Sequence, residues 1–296
     1  MLTILAGAAS TRVAAERGRV VNSPRPRVED TRLSINTATL GNPPLNASLD
    51  AIAAAGARNV GLWRETYNGM TAGEAARAVA AHGLHVSSLC RCVLSPDTQS
   101  MKDAWRAVDE AHELGAPALI VLAGGLWPNS RDLAGARARM TETLSELAIV
   151  AEAAGVRLAL EPLHPMFTAG RSVVNTLGQA LDVVEPFPPE RAGVVLDTFN
   201  VWWDPELADQ IRRAGRSSRI AALQVADWSR HHEHGPFLTR ALPGDGIIEL
   251  RSILAAVENA GYRGPIEIEI FNDQLWQQPP RQIARTAMHS LAATLH

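Results

Sequence analysis

The sequence predicts a single-domain α/β fold, a closed (β/α)8 barrel, and two observations carry this prediction. After residue 31, apolar strand-like runs alternate eight times with Ala- and Leu-rich stretches of helical period. Most of the runs are continuously apolar, which is typical of parallel strands covered by helices on both faces. Eight such units close into a barrel more readily than into an open doubly wound sheet, which is the main alternative.

The predicted elements follow one another in a regular order. Strands are predicted at 32–39, 59–63, 84–90, 117–125, 156–162, 192–197, 219–227 and 265–271. Helices are predicted at 49–57, 73–83, 103–115, 132–154, 176–185, 205–215, 249–261 and 281–295. Glycines stand at six of the predicted helix ends, where a left-handed C-cap would place them: Gly56, Gly83, Gly115, Gly155, Gly215 and Gly261. We therefore assign residues 1–31 to a loose N-terminal extension and 32–296 to the barrel.

The composition excludes several classes of protein. A net charge of -3 over 296 residues gives no basic surface for nucleic acid. No run reaches the ~18 apolar residues of a membrane span, so we expect a cytoplasmic protein without a membrane partner. Cys90 and Cys92 are one residue apart, a spacing that suits neither a zinc pair nor an unstrained disulfide. We interpret them as reduced thiols.

Four polar residues lie at or near the C-terminal ends of the last four predicted strands: Glu161, Asp197, Gln224 and Glu269. Functional residues of such barrels gather at that end, although a lone carboxylate there often only caps the next helix. Three carboxylates and one amide oxygen form a hard ligand set, so the pattern predicts one divalent ion, Mn²⁺ or Mg²⁺, with Co²⁺ as a further candidate. Glu267 points the same way as Glu269, and the strand pattern alone leaves the choice between them open.

Several motifs together resemble a known family. They are EPLHP at 161–165, DTF at 197–199, QVADW at 224–228, PGDG at 243–246 and GYRGPIEIEIF at 261–271. Their series is similar to the sugar phosphate isomerase/epimerase superfamily with the xylose isomerase-like TIM barrel, which includes ketose 3-epimerases, hydroxypyruvate isomerase and inosose dehydratases. The resemblance implies that Glu161, Asp197, Gln224 and Glu269 bind the metal, with Glu269 chosen over Glu267.

The chain departs from this family at two positions. Most ketose epimerases have His at the seventh strand, where this chain has Gln224 and so resembles the hydroxypyruvate isomerase branch. The family's D-x-x-H sequence after the sixth strand ends here in Asn200, which donates hydrogen bonds but carries no proton. The resemblance implies that Glu161 and Glu269 act as catalytic base and acid on an enediolate.

Five further residues are predicted to contact the substrate: His164, Asn200, Arg230, Trp63 and Arg64. Arg230 is assigned because it resembles the family arginine that holds substrate oxygens. For His164 a hydrogen-bonded structural role is the alternative, and for Trp63 and Arg64 a core tryptophan beside a surface ion pair. Arg91 is a second candidate contact for an anion. Four tryptophans near the same barrel end suggest an apolar lining or a contact in a homo-oligomer: Trp127, Trp202, Trp203 and Trp228.

The stretch 230–246 is predicted to be the longest loop and a lid. Its histidines, His231, His232 and His234, suggest a second metal site, but a solvated loop is the commoner outcome. Metal-dependent abasic-site endonucleases share the barrel, but they use several additional histidines and a basic surface that this chain lacks.

We therefore predict a metal-dependent isomerase or epimerase in carbohydrate metabolism, acting on a small keto sugar or keto acid. The alternative is a lyase that dehydrates an inosose-like or 3-keto sugar. A DNA-repair endonuclease and a non-catalytic barrel subunit are the remaining hypotheses.

Overall fold

The computed structural model describes residues 30–95, 97–231 and 235–295, so the prediction for the N-terminal extension falls almost entirely outside the described residues. Ten strands are present in these residues: β1 Leu33–Asn36, β2 Asn59–Trp63, β3 His85–Val93, β4 Leu119–Leu122, β5 Leu158–Glu161, β6 Ala192–Asp197, β7 Ile220–Val225, β8 Asp227–Trp228, β9 Arg240–Ala241 and β10 Ile266–Ile268. Eight of them form the barrel, and β8 and β9 form a small hairpin.

The barrel is closed and parallel, in the order β1-β10-β7-β6-β5-β4-β3-β2, with β1 paired to β2. This confirms the predicted fold class, and each of the eight predicted strands overlaps one barrel strand. The barrel strands alternate with helices, so apolar side chains are needed on both faces of the strands. Accordingly, all four residues of β1, β4 and β5 are buried.

Nine helices lie in the described residues: α1 Leu45–Ala54, α2 Ala72–Ala81, α3 Thr98–Leu114, α4 Leu133–Ala153, α5 Leu177–Val184, α6 Thr198–Val201, α7 Leu207–Arg216, α8 Leu250–Asn259 and α9 Pro280–Leu295. Every predicted helix overlaps one of these α-helices, and among them only the single turn α6 was not predicted; six short 3₁₀ helices in the described residues were not predicted either. Local sequence fixes several starts. Thr71 and Glu74 form a capping box at α2, and Asp97 accepts a hydrogen bond from the Ser100 amide at α3.

The expected glycine caps are present at five of the six helix ends, and Gly215 is the exception. Gly56, Gly83, Gly115, Gly155 and Gly261 have positive φ, whereas Gly215 lies inside α7. A Cβ at Gly215 would lie 2.4 Å from the backbone oxygen of Ala260. The glycine therefore allows α7 to approach the end of α8 closely, and its predicted role as a C-cap is wrong.

Strand register places the candidate residues at one end of the barrel. Glu161 is the last residue of β5 and Asp197 the last of β6, where it is paired in register with Gln224 of β7. Glu269 comes directly after β10. The barrel order makes β5, β6, β7 and β10 consecutive neighbours, so the four side chains come from adjacent strands.

The predicted long loop contains β9, which pairs with β8 to form a hairpin beside this end of the barrel. Asp227 of β8 accepts hydrogen bonds from the backbone amides of Gly244, Gly246 and Ile248, and so holds the PGDG turn. A Cβ at Gly246 would lie 2.3 Å from the Asp227 carboxylate, so this turn requires glycine. His232 and His234 lie outside the described residues. Among the described helices, none is both long enough and apolar enough to span a bilayer.

Candidate metal centre

Three buried carboxylates meet at the C-terminal end of the barrel. One oxygen from each of Glu161, Asp197 and Glu269 lies within 4.8 Å of the others, and none of these residues is more than 6% exposed. Buried charges of one sign repel each other and are costly unless a cation is present. The arrangement is therefore suited to a bound cation.

Gln224 adds an amide to this group. Its Nε2 donates to Glu267 Oε1 at 3.0 Å and to Glu269 Oε1 at 3.4 Å. Its Oε1 is buried and has no hydrogen-bond partner among the described residues. A buried acceptor without a partner is rare in proteins and requires an explanation. A hard divalent cation would use this oxygen as a ligand, so the residues present fit such an ion.

Arg240 is a charged site residue that was not predicted from the sequence, and Arg171 in the cavity wall is another. Its side chain is 3% exposed, and its Nη1 lies 3.0 Å from Asp197 Oδ2 and 3.4 Å from Glu269 Oε2. The rings of Phe199 and Phe271 lie 4.3 Å and 4.9 Å from the guanidinium carbon. Arg240 sits sixteen positions after Gln224 in the chain and comes to the site through the β8–β9 hairpin, which no local motif indicates.

Burial and mutual repulsion raise the pKa values of the three carboxylates above the usual range. Burial, and then the charges of Glu269 and Asp197, raise the pKa of Glu161 well above its usual range. Burial raises the pKa of Glu269 to about 7 despite the opposing charge of Arg240. The pKa of Asp197 is also raised by burial, against the same arginine. Such shifts are common at catalytic sites, where a carboxylate exchanges protons near neutral pH.

Glu267 lies deeper in the barrel than Glu269 and has a different environment. It accepts hydrogen bonds from Asn36, Ser87, Ser88 and Gln224 at 2.6 to 3.0 Å. A Cβ at Gly61 would lie 2.4 Å from its carboxylate carbon, so glycine makes room for it. Four hydrogen-bond donors already surround the Glu267 carboxylate, whereas the Glu269 carboxylate lies beside those of Glu161 and Asp197. Glu269 is therefore the better candidate to bind a cation.

Cys90 completes a second close group with Glu267 and Glu269. Burial, and then the charges of Glu269 and Glu267, raise the pKa of its thiol well above the usual value. Metal coordination requires a thiolate, so the group of three carboxylates is the better candidate. Cys90 and Cys92 are both free, as the sequence predicted.

Asn200 links two of the carboxylates. Its Nδ2 donates to Glu161 Oε1 at 2.9 Å and to Asp197 Oδ2 at 2.7 Å. Its Oδ1 accepts from the backbone amide of His164 at 3.1 Å. Asn200 is fully buried, so both ends of its amide are engaged within the protein.

The other predicted substrate contacts are distributed unevenly. Trp63 lies in the site, where its Nε1 donates to Glu269 Oε1 at 3.1 Å. His164 is half-buried beside Trp203 and Trp228, with its ring 4.9 Å from the Trp228 ring, and burial lowers its pKa. Arg64 and Arg230 are not brought to the carboxylates. Arg64 forms ion pairs with Asp103 and Glu110 of α3, and Arg230 is exposed.

A cavity of about 20 Å³ lies over Glu161 and Glu269. That volume holds about one water molecule or ion. Its wall is formed by aromatic residues and by arginines: Trp63, Phe167, Phe237, Phe271, Arg91, Arg171 and Arg240. Phe237 stacks on Phe271 with ring centroids 4.8 Å apart, so aromatic rings close the space above the carboxylates.

The closed parallel barrel with acidic residues at its C-terminal end defines the class of this protein, an α/β barrel suited to binding a cation. Residues 49–294 match the family model described as the xylose isomerase-like TIM barrel. The chain belongs to this family.

Curated relatives with two kinds of activity are similar to parts of the chain. A 3-dehydroshikimate dehydratase of Pseudomonas aeruginosa is 31% identical over 204 residues, which cover 65% of this chain and 29% of the relative. An inosose isomerase of Halalkalibacterium halodurans is 33% identical over 150 residues, covering 49% of this chain and 50% of the relative. The matches thus span half or less of these relatives' own lengths.

Solved structures share the fold over most of the chain. A protein from Sinorhizobium meliloti 1021 is 39% identical, with a TM-score of 0.85 over 90% of this chain and 99% of its own. The IOLI protein, solved with a bound zinc atom, is 19% identical, with a TM-score of 0.76 over 89% of this chain and 98% of its own. At that identity the second likeness is one of fold alone.

Proposed function

We propose that this protein is a metal-dependent isomerase or epimerase that removes a proton next to the carbonyl of a small keto sugar or keto acid. The observation that carries the proposal is the group of Glu161, Asp197 and Glu269 at the barrel mouth, with oxygens within 4.8 Å of one another. The names of the curated relatives support a substrate with a keto group beside hydroxylated carbons. Relatives named D-psicose 3-epimerase and fructoselysine 3-epimerase are consistent with the same first step.

The proposed metal ligands are Glu161, Asp197, Gln224 and Glu269. The unpartnered Oε1 of Gln224 supports this set, because a buried acceptor gains a partner when a cation binds. A divalent ion bound there would polarise the substrate carbonyl and lower the cost of removing the adjacent proton. Mn²⁺ and Mg²⁺ suit the oxygen ligands best, with Co²⁺ as a further candidate.

Proton transfer is assigned to Glu161 and Glu269. Both line the cavity, and their strands β5 and β10 are separated by β6 and β7, so the two carboxylates approach a substrate from different directions. One removes the proton to give an enediolate, and the other returns a proton to the opposite face or to the neighbouring carbon. The first outcome is epimerisation and the second is isomerisation. Trp63 holds Glu269 through its indole N–H, and Asn200 holds Glu161 through its amide.

A dehydratase is the second candidate, because the chain is similar to a relative with that name, the 3-dehydroshikimate dehydratase of P. aeruginosa, as well as to the inosose isomerase. In that reaction the enediolate expels the β-hydroxyl, which takes a proton from the second carboxylate and leaves as water, so the carbon next to the carbonyl does not regain its proton. Site residues for the first step are identical in the two schemes.

A substrate screen in deuterated water tests the proposal. The protein, supplied with Mn²⁺, is incubated with ketoses, inosose and 3-dehydroshikimate. NMR then reports deuterium at the carbon next to the carbonyl, and mass spectrometry reports loss of water. We expect deuterium incorporation into at least one compound, and Glu161→Gln or Glu269→Gln should slow its turnover by at least ~100-fold.

Glu146→Gln is the matched control, because Glu146 is exposed on α4 and is not among the residues that line the cavity. It should keep wild-type turnover. Undiminished turnover in both Glu161→Gln and Glu269→Gln would contradict the assigned roles. Loss of water without an epimer or isomer would select the dehydratase.

A further inference from the structure

Arginines contribute an excess of positive charge to the wall of the cavity. Arg91, Arg171 and Arg240 all line it, together with the carboxylates of Glu161 and Glu269. Arg240 is paired with Asp197 and Glu269, so its charge is used inside the protein. Arg91 and Arg171 differ from it in having no close carboxylate partner in the site.

The guanidinium of Arg171 packs with its faces against aromatic rings, while its N–H edges have no partner among the described residues. Its guanidinium carbon lies 4.6 Å from the centre of the Phe237 ring and 5.2 Å from that of Phe167. Within the described residues its guanidinium makes no hydrogen bond and no ion pair. Burial, and then repulsion from Arg91, lower its pKa. An arginine with its N–H edges unused in a partly buried wall is ready to bind a planar anion.

Arg91 is held in the same way. Its guanidinium carbon lies 4.4 Å from the centre of the Trp63 ring. Its Nε is buried without a hydrogen-bond partner among the described residues. Its Nη1 lies 3.6 Å from a carboxylate oxygen of Glu65, whose side chain is 55% exposed. That distance is too long for a good hydrogen bond, so the edge of this guanidinium is also largely free.

The charges that line the cavity support the same conclusion, because three arginines line it against two carboxylates, Glu161 and Glu269. Arg91 also has Glu65 at 3.6 Å, so Arg171 is the one of these arginines with no ion pair among the described residues.

We infer that Arg91 and Arg171 form a seat for a carboxylate group of the substrate, which makes this enzyme selective for a keto acid over a neutral keto sugar. The inference rests on the proposed function, because it concerns the same site and names its substrate class. A carboxylate is planar and accepts paired hydrogen bonds from guanidinium edges, which are the atoms left free in both arginines. Aromatic rings on their faces keep the two guanidinium groups in place.

Calorimetry with two similar ligands that differ in charge tests the seat. The probes are 3-dehydroshikimate and its methyl ester, which differ in the carboxylate charge, titrated into the full-length protein with Mn²⁺ present. We expect the acid to bind roughly 10-fold or more tightly than the ester, the scale of a hydrogen bond to a charged group. Arg171→Met and Arg91→Met should bring this ratio toward one, because they lower the affinity of the acid more than that of the ester. Arg171→Lys, which keeps the charge but loses the planar fork, should give an intermediate ratio.

Arg285→Met is the control, since it removes the same charge from an exposed position on α9. It should retain the wild-type ratio, and thermal melting should show that each variant is folded. The seat is contradicted if the wild type does not prefer the acid, or if both methionine variants keep that preference. Deuterium exchange on inosose without an acid preference would leave the proposed function standing and overturn the seat. If the acid binds in a way that depends on the two arginines but no compound exchanges deuterium, the seat stands and the proposed function is overturned.

Discussion

Arg240 and Asp197 form a buried ion pair at the mouth of the barrel, with 3.0 Å between Nη1 and Oδ2. The two side chains are 3% and 0% exposed, so water screens neither charge. Arg240 also donates to the backbone oxygen and the carboxylate of Glu269. One arginine thus connects the hairpin strand β9 to the ends of β6 and β10, and it is the cation that partly offsets three buried carboxylates.

Replacing Arg240 with Met should make the fold depend on a metal ion. In the metal-free protein the variant leaves buried carboxylates uncompensated, and we expect a loss of about 3–5 kcal/mol in the free energy of unfolding at pH 8. A divalent ion bound to the folded state would restore part of this loss. Thermal melts with and without Mn²⁺ should show a larger stabilisation by the ion in Arg240→Met than in the wild type.

Arg240→Lys is the control for this measurement, because it keeps the positive charge. Its metal-free loss should be smaller than that of Arg240→Met. An equal Mn²⁺ shift in the wild type and in Arg240→Met would show that the arginine and the ion do not offset the same charges.

Replacing Asn200 with Ala should weaken metal binding without abolishing it. Asn200 donates to Glu161 and Asp197 at 2.9 and 2.7 Å, and side chains that orient metal ligands in this way typically contribute about 10–100-fold to affinity. Titration calorimetry with Mn²⁺ should therefore give one site per chain with a dissociation constant raised by that factor. Asp197→Ala, which removes a proposed ligand, should lose the site, so the two variants separate a positioning residue from a ligand. An unchanged dissociation constant in Asn200→Ala would contradict the positioning role.

The barrel and the four polar positions were predictable because both depend on local pattern. Strand and helix periods fix the eight units, and parallel strands bring their C-terminal ends together, so Glu161, Asp197, Gln224 and Glu269 had to converge. Arg240 was not predictable in this way. It reaches the site through a two-residue strand pairing, Trp228 with Arg240, whose register depends on tertiary packing. The family resemblance selected Arg230 instead, which is exposed.

Arg64 shows a second limit of sequence patterns. Its position directly after β2 suggested an anion contact, but α3 presents Asp103 and Glu110 to it at 2.8 Å. Those partners are 39 and 46 positions away in the chain, so no local spacing reveals them. Arg64 forms an ion pair, as in the alternative to a substrate contact, but its side chain is only 16% exposed, so the pair is not at the surface.

Arg64, Tyr67, Asp103 and Glu110 form a cluster that should make the free energy of unfolding depend on pH in the acid range. Although burial pushes the pKa of Glu110 upward, hydrogen bonds from Arg64 and Tyr67 lower it below the ordinary value of 4.5. A carboxylate with a lowered pKa stabilises the fold above that value, and this stability is lost as pH falls below 4.5 through the lowered pKa. Glu110→Gln should therefore cost about 1–2 kcal/mol at pH 7 and less at pH 3. Urea unfolding at both pH values measures the difference.

Asp109→Asn provides the comparison for Glu110→Gln, because Asp109 is exposed on the same helix. It should leave the dependence of stability on pH close to that of the wild type. A loss in Glu110→Gln that is the same at pH 3 and pH 7 would show that the carboxylate charge is not what stabilises the cluster.

Gln224 should set the metal preference of the site. Its amide oxygen is buried and unpartnered among the described residues, and an oxygen ligand favours Mg²⁺ and Mn²⁺ more than an imidazole nitrogen does. Gln224→His should therefore shift the order of affinities toward Co²⁺ and Zn²⁺, measured by competitive titration of the purified variant. Gln224→Leu, which offers no ligand, should weaken all four ions and leave their order unchanged. If Gln224→His keeps the wild-type order and Gln224→Leu binds all four ions as tightly as the wild type, the amide oxygen does not bind the ion, and its lack of a partner needs another explanation.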